Sequence, residues 1–344
     1  MMNADLMALQ ESIRPVVDAA GLAAPDTAIW DQATELGWLM TAAPEEMGGL
    51  GLGLESMLLV AAEMGHGLVA APIIEALMAI DACAAAGQAE RVDALLAGDT
   101  LAVPLTDPQI DARAGSLTGV CQAVSLPASA KELLLWSADA TLLCCVPLNC
   151  AGLSVTQTPT WDRTRQLASV TCERVLIDDA AVIASGDDAT RLINRLLAVR
   201  GLLLAADCHG AARSLLTRTI EHLRVRQQFG RPLAMFQALK HRVADLQTAL
   251  VGSVALQDST VARIADVLDD GQYGVDASAA LAMAQSVFAE VAEEALQLHG
   301  GIGMAAEHDC HLFLKRAMLN RQLGRTRSQT IMNVAARLIA EQTG

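Results

Sequence analysis

The stretch DDATRLINRLLAVRGLLLAADCHGAARSLLTRTIEHLRVRQQ, residues 187–228, decides how this chain folds. Its apolar residues recur at helical spacing without a break, after an acidic cap region. A helix of that length needs partners of its own kind. Downstream, residues 236–268 (FQALKHRVADLQTALVGSVALQDSTVARIADVL) and 276–301 (DASAALAMAQSVFAEVAEEALQLHGG) repeat the pattern, the second stopping at Gly300 and Gly301. Two shorter helices are expected at 308–319 and 325–342. Upstream the texture differs. Between Thr100 and Ala184 short β-like runs such as LAVPLT, ELLLWS and LASVTCERVLI are separated by Asp, Pro, Gly and Asn, which predicts a small antiparallel β-domain. Residues 1–98 return to helical spacing, in AIWDQATELGWLM (28–40), LESMLLVAAEMGHGL (54–68), IIEALMAIDACAAAG (73–87) and QAERVDALLAG (88–98), with a glycine-rich loop at 44–53. The expected fold is mainly α with a small β-domain: an N-terminal helical domain over 1–99, a middle β-domain over 100–184 and a C-terminal helical bundle over 185–344.

Composition bounds the function. A chain of 344 residues can form two or three subdomains. Hydrophobic residues make up 53% and aromatics only 3%, which favours close-packed helices over an aromatic-rich sandwich. With net charge −15 and only 24 Lys and Arg, no nucleic-acid or anionic-membrane surface is expected. The N-terminus carries acids and no long apolar run, so no secretion signal is read, and no charge-free run of membrane-spanning length stands out. Cys83, Cys121, Cys144, Cys145, Cys150, Cys172, Cys208 and Cys310 show no CxxC pair, and buried free thiols in a reducing cytoplasm are expected.

Two motifs stand out. In RVRQQFGRPLAMFQALKHRVADLQ (224–247), Arg226, Gln228, Phe229 and Gly230 end the first long helix and Gln237 opens the next. An Arg at such a corner can grip a phosphate through two hydrogen bonds, and Gly230 allows a tight turn. By itself it would read as a helical corner with solvated charges. In QLHGGIGMAAEH (297–308), Gln297 is followed by Gly300, Gly301 and Gly303, where bare backbone N–H groups can approach a pyrophosphate. By itself this would read as a glycine cap.

As a pair, R-x-x-F-G with F-Q and then Q-x-x-G-G-x-G, the motifs resemble the acyl-CoA dehydrogenase family. ELGWLMTAAPEEMGGLGLG is similar to that family's N-terminal domain, WDRTRQLASVTCERVLI to the end of its β-domain, and IEHLRVRQQFGRP with LHGGIGMAAEHDCHLFLKRA to its steroid-degrading bacterial branch. The resemblance implies an FAD-dependent desaturation of an acyl-CoA thioester at Cα–Cβ, with a glutamate removing the α-proton. It implies that Arg226, Gln228, Phe229, Gln237, Gln297, Gly300 and Gly301 hold the ADP arm of a flavin whose ring lies in another subunit. It implies an electron-transfer flavoprotein or similar acceptor, and a cytoplasmic location.

The catalytic glutamate is missing from both places the family keeps it. After G-G-x-G the corresponding stretch is RQLGRT (321–326), with Gly324 or Leu323 at the glutamate position. Near the start of the long helix the position is Arg200. Asp207 shares a helical face with Arg200 and is either a substitute base or half of a buried polar pair. His209 and His299 are expected to pack or hydrogen-bond, and Glu307 resembles a family residue without a proton-abstracting role. The flavin-ring contacts are also eroded: LAVPLTDPQIDARAGS keeps only Thr106–Pro108 of the usual pattern, and CQAVSLPAS replaces the ring-covering segment. The asymmetry implies a subunit without its own catalytic residues, completing the FAD site of a second acyl-CoA dehydrogenase subunit in a heterotetramer. The alternatives are a self-sufficient enzyme using Asp207, or a non-redox acyl-CoA-binding scaffold.

Overall fold

The computed structural model describes residues 4–264, 268, 274–325 and 327–343. Five helices open the chain: α1 (Ala4–Ala20), α2 (Asp26–Glu35), α3 (Gly53–His66), α4 (Ile73–Ala85) and α5 (Ala89–Leu96). In α1 the buried residues are Leu9, Ile13 and Val17, one per turn, so a single stripe faces inward. In α4 every residue from Ile73 to Cys83 is buried, which makes it a core helix. The helix expected across 28–40 is interrupted. Gly37 adopts φ +73 and ends α2, and Trp38–Ala42 continues as a 3-10 turn.

Eight strands follow: β1 (Leu101–Pro104), β2 (Gln109–Arg113), β3 (Ser116–Ser125), β4 (Glu132–Trp136), β5 (Leu142–Pro147), β6 (Leu153–Thr158), β7 (Leu167–Leu176) and β8 (Val182–Ser185). They form one sheet in the order β6-β7-β3-β1-β4-β5-β8, with β2 also paired to β3. The sheet is mixed rather than antiparallel throughout, because β1 and β4 run parallel. Strand β3, which forms a hairpin with β2, lies antiparallel on one side of β1, and the chain crosses over to lay β4 on the other. Both faces of the central strands are covered. Leu133 and Leu135 of β4 join a core within the sheet region, while Leu134 and Trp136 join the helical core. Cys144 and Val146 of β5 split from Leu143 and Cys145 in the same way. Two-faced burial is why ELLLW and LLCCVP read as unbroken apolar runs instead of alternating ones.

The C-terminal helices are α6 (Gly186–Val225), α7 (Gln237–Ile264), α8 (Gly274–His299), α9 (Cys310–Asn320) and α10 (Arg327–Thr343). Helix α6 has 40 residues, about 60 Å of helix, and is buried without interruption from Ala198 to Ala212. It crosses α3 at a contact only glycine permits. A Cβ on Gly65 would lie 2.0 Å from Asp207 O, and one on Gly210 would lie 1.8 Å from Ala62 O. One described helix, α8 with the turn after it, is long and apolar enough to cross a membrane by length and composition, and most of it is buried inside the fold.

Candidate functional site

The chain leaves α6 at Arg226, whose N–H donates to His222 O at 2.8 Å. It then makes a two-stranded hairpin, β9 (Gln227–Gln228) with β10 (Arg231–Pro232), in which Arg231 pairs with Gln228. Both residues at the tip, Phe229 and Gly230, have positive φ, +53 and +77. That is the signature of a type I′ turn, whose twist suits the flanking strands. Glycine takes this conformation freely, but a phenylalanine is strained in it. The Phe229 ring is 89% exposed and meets the Phe236 ring edge-on at 6.0 Å, and Arg231 covers the Phe236 ring at 4.1 Å. The ladder fixes the hairpin against the start of α7, where Gln237 Nε2 lies 3.2 Å from His241 Nε2.

The second motif ends beside the first. The rings of His222 on α6 and His299 at the end of α8 are 4.3 Å apart, and Arg242 of α7 donates to Glu294 of α8 at 2.8 Å. Arg226, Gln228, Phe229, Gln237, Gln297, Gly300 and Gly301 are all exposed on this end of the bundle. Gly300 has φ +66 and starts the 3-10 turn Gly300–Met304. Among the described residues, a Cβ on either Gly300 or Gly301 would meet nothing within 4 Å, which leaves space above these two backbones. A cation, side-chain amides and an uncovered glycine backbone are the donor set a pyrophosphate and ribose require. The residues present therefore fit the ADP arm of FAD.

The interior site is of the opposite character to a general base. Asp107, after β1, accepts one hydrogen bond from Arg200 Nη2 on α6 and another from Arg325 Nε at 3.3 Å. Burial alone would raise the Asp107 carboxyl, but Arg200 and Arg325 outweigh it and hold it below the usual carboxylate range. Arg200 is 2% exposed and lies over the Trp136 ring at 5.7 Å. Its Nε and Nη1 have no hydrogen-bond partner among the described residues. Burial pulls this guanidinium below its ordinary value, against the pull of Asp107. Gly324 has φ +71, donates to Leu105 O at 2.6 Å, and would place a Cβ 2.5 Å from Leu281 Cδ2. A side chain there would be strained by that φ and would require Leu281 to shift, and Leu323 is buried at 1%. From this loop it is Arg325 that reaches the site, a residue the sequence reading passed over although it adjoins Gly324. Asp107 was likewise seen only as part of the Thr106–Pro108 echo. Thr106 itself donates to Gln122 O at 2.8 Å.

Asp207 is not placed to act as a base. It is fully buried, accepts from Arg165 Nη2 at 3.0 Å, Arg316 Nη1 at 3.1 Å and Asn320 Nδ2 at 2.7 Å, and belongs to a network that includes Glu75, Asp162 and Thr164. Burial would raise its pKa, but Arg165 and Arg316 hold it below the ordinary value. The buried-pair reading of Asp207 thus fits the geometry, although its partners are Arg165 and Arg316 and not Arg200. His209 bonds to Ser253 Oγ at 2.8 Å and is pushed by burial down to about 4, which leaves it neutral. His299 donates from Nδ1 to Ala295 O at 2.8 Å, and Glu307 is exposed.

Comparison with known proteins supplies a frame for this geometry. Residues 7–98 match the model for the acyl-CoA dehydrogenase N-terminal domain, and residues 190–339 match the one for the acyl-CoA dehydrogenase C-terminal domain. The chain is 31% identical over 282 residues to the acyl-CoA dehydrogenase IpdE2 of Mycolicibacterium smegmatis, covering 81% of this chain and 78% of that protein. Its fold is similar to a chain of the ChsE4-ChsE5 complex from Mycobacterium tuberculosis, with TM-score 0.86, 24% identity and 98% of each chain covered. It is also similar to a chain of the Tcur3481-Tcur3483 steroid ACAD G363A variant, with TM-score 0.85, 25% identity and 98% of each chain covered.

Proposed function

This chain belongs to the acyl-CoA dehydrogenase family, and on that premise we propose that it is the subunit of a heteromeric enzyme that completes a partner's FAD site without a catalytic base of its own. The family's members are FAD-dependent oxidoreductases of acyl-CoA thioesters. The observation that carries the reading is the Asp107–Arg200–Arg325 cluster at the position where a base is expected. A guanidinium has no lone pair for a proton at neutral pH. Asp107, held by two of them, is a weaker base than a free carboxylate. Without a base, catalysis loses about 10²–10⁴-fold.

Bound FAD supplies the acceptor for the hydride that leaves Cβ. Toward that group this chain contributes binding and orientation. Arg226 supplies a charge-assisted donor for a phosphate, Gln228, Gln237 and Gln297 supply amides, and Gly300 and Gly301 allow close approach. Phe229 caps the hairpin with an exposed ring. The substrate is an acyl-CoA, and likeness to a steroid ACAD supports a steroid-derived acyl group. The partner is a second acyl-CoA dehydrogenase subunit bearing the glutamate, in a heterotetramer, and the electron acceptor is an electron-transfer flavoprotein or a similar carrier. A cytoplasmic location accords with this reading. Co-expression with candidate partner subunits, followed by native mass and flavin content, tests it. One FAD per heterodimer is expected. A stable assembly of this chain alone with one FAD per chain would overturn it.

A further inference from the structure

Beneath the exposed cofactor-arm residues lies a cluster that the proposed function does not use. The cleft there has a volume of about 390 Å³, and His222, His299, His308, Asp309 and Cys310 line it. Ligand atoms of His299, His308 and Cys310 all lie within 4.8 Å of one another. The His299 and His308 rings are 4.7 Å apart, and Cys310 Sγ is 3.3 Å from His299 Nδ1. The ring of His222 stands 4.3 Å from His299 and 6.5 Å from His308.

The chemistry of the set is specific. His299 Nδ1 faces the Ala295 carbonyl at 2.8 Å, and a carbonyl can only accept. The proton therefore sits on Nδ1, and Nε2 keeps the lone pair. A backbone carbonyl behind one ring nitrogen is the usual outer support of a metal-ligating histidine. Cys310 and His299 are buried, at 1% and 7% exposure, so this is a formed interior group and not a chance surface grouping. Arg218, which also lines the cleft, is answered by Asp309 at 3.2 Å. Two imidazoles and a thiol suit a borderline-soft ion, held at about 2.0 Å for Zn–N and 2.3 Å for Zn–S; to reach it Cys310 Sγ must turn from the Nδ1 side of His299 toward Nε2, and the His308 ring must give up the Cys310 N–H that its Nδ1 accepts at 3.2 Å.

We propose that His299, His308 and Cys310, with His222 closing the fourth position, form a binding site for one divalent transition-metal ion, Zn²⁺ by the chemistry of its donors. Binding displaces the Cys310 thiol proton to solvent, and no redox step is involved. An ion here ties the end of α6, one turn before Arg226, to the end of α8, immediately before Gly300. It braces the two motifs against each other from below, and it does so whether or not the chain works as a partner subunit.

The test uses the untagged full chain, freed of metal with a chelator and titrated with Co²⁺. The expected result is one Co²⁺ per chain with a thiolate-to-cobalt charge-transfer band, displaced by Zn²⁺. Cys310→Ser should abolish the band. Loss of an outer partner of a metal ligand costs about 10–100-fold in affinity, so His299→Gln and His308→Gln should each weaken binding by about 100-fold or more. X-ray absorption on the Zn²⁺-loaded wild-type chain gives a reading independent of variant folding, with one sulfur and at least two nitrogen neighbours expected. Absence of the band in the wild type, a band that survives Cys310→Ser, or an all-oxygen and nitrogen shell without sulfur would overturn the proposal.

Discussion

Arg316→Ala is expected to destabilise the chain severely, by about 3–5 kcal/mol, because it removes one member of a buried ion network. Arg316 is fully buried. Its Nε donates to Asp162 Oδ2 at 3.0 Å and to Thr164 Oγ1 at 2.8 Å, and its Nη1 to Asp207 Oδ1 at 3.1 Å. Its Nη2 reaches Val69 O at 3.1 Å and Thr164 O at 3.3 Å. Without it, Arg165 alone faces Glu75, Asp162 and Asp207. Asp207 keeps Arg165 and Asn320, so the loss falls on excess buried negative charge and not on a wholly orphaned carboxylate. The pH dependence follows from the Asp207 carboxyl being held below its ordinary value. Such a group contributes stability that is fully present above the unfolded carboxylate pKa, and that stability is lost as pH falls through the folded value. The gap between wild type and variant is therefore full at pH 7 and narrows below about pH 4. Urea unfolding followed by tryptophan fluorescence and far-UV circular dichroism measures it, with Asp207→Asn and the double variant completing a cycle. A coupling of about 0.5–3 kcal/mol is expected. A loss below about 1 kcal/mol for Arg316→Ala, or a gap that widens in acid, would refute the reasoning.

Arg226→Ala should weaken flavin retention in the assembled complex by about 1.5–3 kcal/mol, read by equilibrium dialysis of the cofactor. Gly301→Val should leave the stability of the isolated chain within about 0.5 kcal/mol, since its Cβ meets open space, yet reduce flavin content of the complex; unchanged flavin content would remove Gly301 from the site. Gly210→Ala should destabilise by about 1–3 kcal/mol or more, because the added Cβ meets the Ala62 carbonyl. In thiol labelling of the native chain, Cys150 should react first, since it alone is not buried, while burial pushes Cys144 and Cys208 up to about 12.

The long helices were legible because α6, α7 and α8 each carry an unbroken helical period, and Gly230 and Gly300 mark turns that only a positive φ can make. The exposed motif residues were legible for a similar reason: they are local in sequence, and the two short stretches that hold them converge once the helices pack. What could not be read depends on distant partners. The parallel β1–β4 pairing leaves no trace in either strand, because two-faced burial erases the alternation. Arg316 and Asp207 are separated by 109 positions, so the network that removes Asp207 from catalysis exists only in the folded chain. Arg325 went unread because the motif position falls on Gly324, whose φ of +71 disfavours any side chain.

The central claim, that this chain holds a flavin arm but lacks a base, is tested most directly by anaerobic bleaching of flavin absorbance. The chain purified alone, supplied with FAD and a panel of acyl-CoA thioesters, is predicted to hold little flavin and to bleach none of it. Mixing it with a glutamate-bearing partner subunit should restore bleaching, with one reducible flavin per heterodimer. Stoichiometric FAD on the chain alone, bleached by an acyl-CoA, would contradict the account.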